Sequence, residues 1–196
     1  MAIEPPDIAP AMILSNVVLF PGMMLPLRIF EPRYRRMLED VLEADRQFVI
    51  ATRAPDTDNE TPADTACLGL VRASVASPDG TSQLFLLGLT RVKVEGLVPD
   101  RPYPTLRLSR MADLEPDSVR AEALALKVRE LARQRFNAPG LKDFGAQIDA
   151  IDSASQLADT LAHVLIPDPA LKLELLATPG VPHRLERLIA FLMEKG

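Results

Sequence analysis

Apolar positions along the chain follow two rhythms. Up to about Met111 they come in short, often β-branched runs bounded by turn residues, and beyond Pro116 they recur at helical spacing. The change of rhythm predicts an α+β protein with a β-rich part over residues 1–114 and a helical part over 115–196. In the first part the pattern predicts strands at residues 11–14, 24–30, 47–52, 68–76, 83–94 and 105–110. Pro21-Gly22 and Pro78-Asp79-Gly80 mark turns, the second joining a hairpin pair. After Glu31-Pro32, Tyr34, Met37, Leu38, Val41 and Leu42 fall on one stripe of an amphipathic helix. Residues 54–66, rich in Asp, Thr and Pro, read as a loop. Gly88 and Gly96 interrupt the later strand of the hairpin, as bulges do, so a closed or nearly closed six-stranded barrel is expected.

The helical part opens with residues 118–136, where Leu124, Val128 and Leu131 predict the buried face. Ser153 and Gln156 fit a capping box ahead of Leu157, Leu161, Val164 and Leu165. Asp168-Pro169 starts a further helix, which Gly180 is expected to end. Pro182 opens the last, with Leu185, Leu188, Ile189 and Leu192 facing inward.

Composition narrows the function classes. Lys and Arg number 22 against 27 Asp and Glu, a net charge of −5, so nucleic acid is not the expected partner. Arg28, Arg33, Arg35 and Arg36 form a local basic cluster, which reads as the solvated face of a helix. Cys67 is the single cysteine, so no intramolecular disulfide forms and a reducing compartment fits. Glu4 and Asp7 stand where a signal peptide would be basic. The apolar stretch 8–27 is broken by Ser15, Asn16 and prolines, so no membrane span is expected and the chain reads as cytoplasmic.

Catalytic and metal signatures are missing. None of the nine glycines opens a G-x-x-x-x-G-K phosphate loop, and no G-x-S-x-G elbow occurs. Cys67, His163 and His183 lie far apart, which does not suit a zinc site. Asp56-Thr57-Asp58-Asn59-Glu60 begins like a calcium loop but has Thr61 at its sixth position and Cys67 at its twelfth. His183-Arg184-Leu185-Glu186 reads as a capped, solvated turn. The expectation is therefore no enzyme, no cofactor and no metal. What remains is recognition by surface. The run Phe20-Pro21-Gly22-Met23-Met24-Leu25-Pro26-Leu27 is apolar throughout, and its two Met residues suit varied partners. The same run also reads as a core strand with its turn.

Residues 17–42, VVLFPGMMLPLRIFEPRYRRMLEDVL, resemble the opening of the Lon protease amino-terminal domain. FVIATR at 48–53, LGLVRASVASPDG at 68–80 and LLGLTRVKVEGL at 86–97 resemble its next strands, in order. Pro102-Tyr103 and the closing helical segments SASQLADTLAHVL and RLERLIAFL continue the likeness over residues 12–192. The resemblance implies a PUA-like barrel (the fold of pseudouridine synthases and archaeosine transglycosylases) followed by a helical bundle. It also implies a non-catalytic role in binding protein substrates or partners, because the ATPase and Ser-Lys peptidase that follow in full-length Lon have no counterpart before Gly196. Phe20, Met23, Met24, Leu25, Phe30 and Tyr34 are the candidate partner-binding residues, for unfolded or partner proteins and peptides. A homodimer stays open, and small-molecule or RNA binding by the barrel is the alternative.

Overall fold

The computed structural model describes residues 4–55, 57, 60–135 and 142–194. It divides into two compact units, Met1–Met111 and Ala112–Gly196. The first holds β1 (Ile8–Leu14), β2 (Met24–Ile29), α1 (Pro32–Glu43), β3 (Gln47–Arg53), β4 (Pro62–Ala76), β5 (Ser82–Leu97) and β6 (Thr105–Arg110). The second holds α2 (Val119–Arg135), α3 (Lys142–Asp149), α4 (Ala154–Leu165), α5 (Pro169–Ala177) and α6 (Val181–Glu194). The protein is thus mixed α+β, with a six-stranded sheet and six helices among the described residues.

The sheet runs β2-β5-β4-β3-β1-β6. β1 and β3 pair in parallel, which requires a crossover, and α1 lies on that connection. β6 pairs with β1 and returns to pair with the C-terminal half of β5. The six-stranded closed barrel expected from the glycine-marked strands is not what forms. Among the described strands β2 pairs with β5 alone, so the sheet keeps a free edge. The curvature that bulges near Gly69 and Gly96 introduce brings β5 to β6 and leaves β2 outside that closure. The loop expected at 54–66 also shortens, because β4 already begins at Pro62. Ala63 and Thr65 are buried there, but short and hydroxyl side chains hide the alternation from a hydropathy reading.

Two apolar cores lie on opposite faces of the sheet. One packs Tyr34, Met37, Leu38 and Val41 of α1 against Met12, Phe48, Ile50, Cys67 and Leu86. Each large side chain fully buried this way contributes about 1.5–3 kcal/mol. The other joins Ala11, Ile13, Val49, Ala51, Leu68, Val92, Leu106 and Leu108. β3 is buried on both faces, which explains its unbroken apolar run.

In the helical unit, α6 packs against α2 and α4. The buried face of α2 is Ala121, Ala125, Val128 and Ala132; Leu124 and Leu131 are only half-buried. Close helix approach selects the alanines and turns the larger leucines aside. Ser153 caps α4 by accepting from the Gln156 N–H at 3.3 Å, and Asp168 caps α5 through the Ala170 and Leu171 N–H groups. Leu157 and Leu161 are buried as expected of the stripe, whereas Val164 is exposed. α5 ends at Ala177, before Gly180, whose carbonyl instead accepts from Arg184 at the start of α6. α3 was not expected from periodicity; its eight residues are too few to establish a stripe. The reading of residues 183–186 as solvated is corrected at Arg184. That guanidinium is buried and donates to Asp159 Oδ1 at 2.7 Å, Asp113 Oδ1 at 2.8 Å and Ser155 Oγ at 3.1 Å. Removing one side of such a buried pair costs about 3–5 kcal/mol, because the other charge is stranded.

Candidate functional site

The sheet's free edge and its outer face meet at β2. The chain enters this strand through a turn in which Met23 N–H donates to Phe20 O at 3.1 Å. Pro21 presets φ, and Gly22 takes φ +78°, the value a type II turn requires at its third residue. The turn is clasped to β5: Gly22 N–H donates to Gly88 O at 2.8 Å, and Gly88 N–H to Met23 O at 2.9 Å. A Cβ on Gly88 would sit 2.1 Å from Phe20 O, so glycine is obligatory at this approach.

Those two bonds set the ladder. The Met23 carbonyl points at β5, where it accepts from Gly88 N–H, so by the alternation of the ladder Leu25, Leu27 and Ile29, opposite Leu86, Leu84 and Ser82, direct their peptide groups at β5. Met24, Pro26 and Arg28 direct theirs to the free edge. Pro26 lacks an N–H and therefore sits where no ladder donor is lost.

Burial separates the six candidate residues. Phe20 and Tyr34 are corrected from partner-binding surface to core: both are buried, Phe20 at the start of the turn and Tyr34 on the inward face of α1, where the Arg33 guanidinium lies 4.5 Å over its ring. Met23 and Leu25 are half-buried against the α1 core. Met24 and Phe30 are exposed, at 44% and 60%. The register adds residues that the sequence reading missed. Pro26 faces Phe85, which is 52% exposed, and Phe85 in turn faces Ala73 on β4. Val75, 68% exposed, continues the same face. Phe85 lies inside the run Leu84-Phe85-Leu86-Leu87, where a continuous apolar stretch conceals which side is wet. Counting outward from the Pro78-Asp79-Gly80 turn was the one signal that places it.

The basic cluster is dispersed. Arg33 makes a two-pronged bond to Glu60 (2.6 Å each) and a third to Glu31 (3.0 Å). The hydrogen bond from Arg33 holds the Glu60 carboxyl below its usual range. Arg36 pairs with Asp40 at 2.9 Å and Glu39 at 3.5 Å. Arg28 lies on the apolar face opposite Gln83. Asp79 at the hairpin turn is held low, first by the Thr81 N–H and hydroxyl, then by the charges of Arg28 and Arg35. Tyr103 donates to Asp40 at 2.7 Å, and burial with that carboxylate pushes its hydroxyl up to about 12.

Cys67 is buried in the α1 core, and His163 and His183 lie on different helices. Among the described residues no three His, Cys, Asp or Glu side chains converge to hold a metal ion. Of the acidic loop, Asp56, Asp58 and Asn59 lie outside the described residues. No described helix is long and apolar enough to cross a membrane.

A two-unit α+β chain with an apolar sheet face beside a free strand edge defines the class of protein at hand. The chain belongs to the family of the ATP-dependent protease La (LON) substrate-binding domain, whose model matches residues 8–194. Lon protease of Brucella suis biovar 1 (strain 1330) is 29% identical over 186 residues, and Lon protease 1 of Syntrophobacter fumaroxidans is 30% identical over 186 residues. Each match covers 91% of this chain, which spans 23% of the length of these curated relatives. The N-terminal domain of Mycobacterium avium complex Lon protease superposes with a TM-score of 0.81 at 17% identity, covering 95% of this chain and 98% of that one. A Lon N-terminal domain protein from Xanthomonas campestris gives 0.68 at 23% identity, covering 93% and 97%. These structures establish a shared fold.

Proposed function

We propose that this chain is a recognition module that holds exposed apolar segments of other polypeptides on the outer face of β2, β5 and β4. The observation that carries the reading is the contiguous exposure of Met24, Pro26, Phe85 and Val75 by strand register. A soluble surface rarely keeps large apolar side chains together without a use for them. Met24 adds adaptability, and Phe85 a rigid anchor. Membership of a family described as substrate-binding agrees with it. Within this reading the chain captures and does not itself catalyse; degradation of what it holds belongs to other modules. The PUA-like barrel and RNA binding gain no support, since the sheet has a free edge and Arg33 and Arg36 are matched by acids.

The test is fluorescence anisotropy with a labelled, reduced and carboxymethylated polypeptide. Met24→Ser combined with Phe85→Ser is expected to raise Kd about tenfold or more, with circular dichroism unchanged. Val119→Ser, at an exposed apolar position on α2, serves as the control and leaves Kd unaltered. Capture driven by apolar burial also responds weakly to added salt. Unchanged Kd in the double variant, or a steep loss of affinity with salt, contradicts the reading.

A further inference from the structure

α2 is apolar on two faces. Its buried side carries Ala121, Ala125, Val128 and Ala132. Val119, Ala123 and Leu126, spaced i, i+4 and i+7, share the opposite side. Val119 and Leu126 are 83% and 70% exposed, more than any other large apolar side chain among the described residues, and Ala123 is exposed as well. A surface helix ordinarily turns polar residues outward, so a second apolar stripe is a surface suited to being covered.

Charge indicates what covers it. Beside Leu126 and Ala125 opens a cleft of about 360 Å³, whose charged lining is Asp117, Glu122, Asp152 and Arg129. Arg129 is turned onto the backbone, donating to the Ile148 carbonyl at 2.6 Å and to that of Ile151. The neighbouring cations of α2 are matched: Arg120 with Glu186 at 2.6 Å, Lys127 with Glu130 at 3.0 Å and Arg133 with Asp149 at 2.9 Å. The carboxylates of Asp117, Glu122 and Asp152 make no ion pair with a described residue, so three acids less one Arg leave the cleft with two negative charges in excess. Carboxylates at helix starts offset the dipoles of α2 and α4. That role does not account for the large apolar side chains left uncovered among them.

We propose that this face of α2 docks a basic amphipathic helix of another protein. The apolar stripe of that helix covers Val119, Ala123 and Leu126, and Lys or Arg residues along its flank meet Asp117, Glu122 and Asp152. The i, i+4, i+7 array suits the side-chain spacing of a helix laid along it. The acids select a basic flank and speed its approach. The site lies wholly within the helical unit and stands independently of the sheet-face reading.

The test is fluorescence anisotropy on the full chain with labelled model helices of about eighteen residues. One has a leucine stripe flanked by lysines, a second has glutamates for the lysines, and a third has serines for the leucines. The first is expected to bind with Kd below about 100 µM, and the other two at least about tenfold more weakly. Val119→Ser combined with Leu126→Ser weakens the first probe about tenfold with circular dichroism unchanged, which a purely electrostatic attraction would not show. Glu122→Gln combined with Asp152→Asn also weakens it and removes most of its salt dependence between about 0.05 and 0.3 M NaCl, which an undirected apolar contact would not show. Met193→Ser, exposed on α6 and outside the cleft, leaves Kd unaltered. A carboxymethylated unfolded polypeptide is neither basic nor helical, so Val119→Ser remains a control for the sheet face. The proposal is overturned if the lysine and glutamate probes bind alike, if the Val119→Ser, Leu126→Ser variant binds unchanged, or if no probe saturates by about 1 mM. Dimerisation in sedimentation velocity that Leu126→Ser abolishes also overturns it, because a second copy of the chain is then the occupant.

Discussion

Gly88 shows how a single missing side chain places the candidate face. The Phe20 carbonyl occupies the space its Cβ would need. Gly88→Ala is expected to destabilise the protein by about 2–4 kcal/mol, read from a lower urea midpoint, because the obstacle is backbone and cannot rotate away. Glu60 gives a pH-dependent counterpart. Its folded-state pKa is lowered, chiefly by the hydrogen bond from Arg33. A lowered carboxylate contributes stability above its unfolded pKa of about 4.3 and loses it as pH falls through the folded value. Both side chains are about a third exposed, so the contribution stays below about 1 kcal/mol. Urea midpoints of the native chain and Glu60→Gln should differ at pH 7 and converge below the carboxylate range. Residues of this kind are only partly legible in sequence. Gly22 announces itself beside Pro21, whereas the burial of Arg184 does not, because Asp159 and Asp113 are distant in sequence.

At the scale of elements, β2 combines an apolar outer face with an unpaired edge. Such edges invite pairing with other chains unless they are blunted. Pro26 blunts this one, since its ring stands where an outward N–H would otherwise be. Pro26→Val restores that donor without disturbing the bonds to β5. It is expected to lower the concentration at which the protein self-associates, measured by sedimentation velocity; an unchanged distribution would show that the edge is shielded by other means. The strands, α1 and the caps of α4 and α5 were legible because each rests on local chemistry. The first half of β4, the alanine face of α2 and the short α3 were not. Packing partners decide them, and their own side chains carry little hydrophobic contrast.

At the scale of the whole molecule, class and family were legible from the order of many weak motifs, and the closure of the sheet was not. Six strands with bulge-marking glycines suit several pairings, and only the long-range register shows β6 joining β1 and β5 while β2 stays outside. Half of the candidate surface was likewise hidden, because Phe85 and Val75 reach Met24 through that register. The pairing of Ile8 with Arg107 has a temporal side as well. Hairpin β4–β5 closes over the five-residue Ser77–Thr81 turn, so it can form while the chain is still being synthesised. β1, made first, waits for β6, made almost last in its unit. Pulsed hydrogen exchange during refolding should find amides of β4 and β5 protected before those of β1, and simultaneous protection would contradict this order. Until β6 arrives, β1 is held by β3 alone, and in that interval its other edge is itself an open apolar strand awaiting a partner.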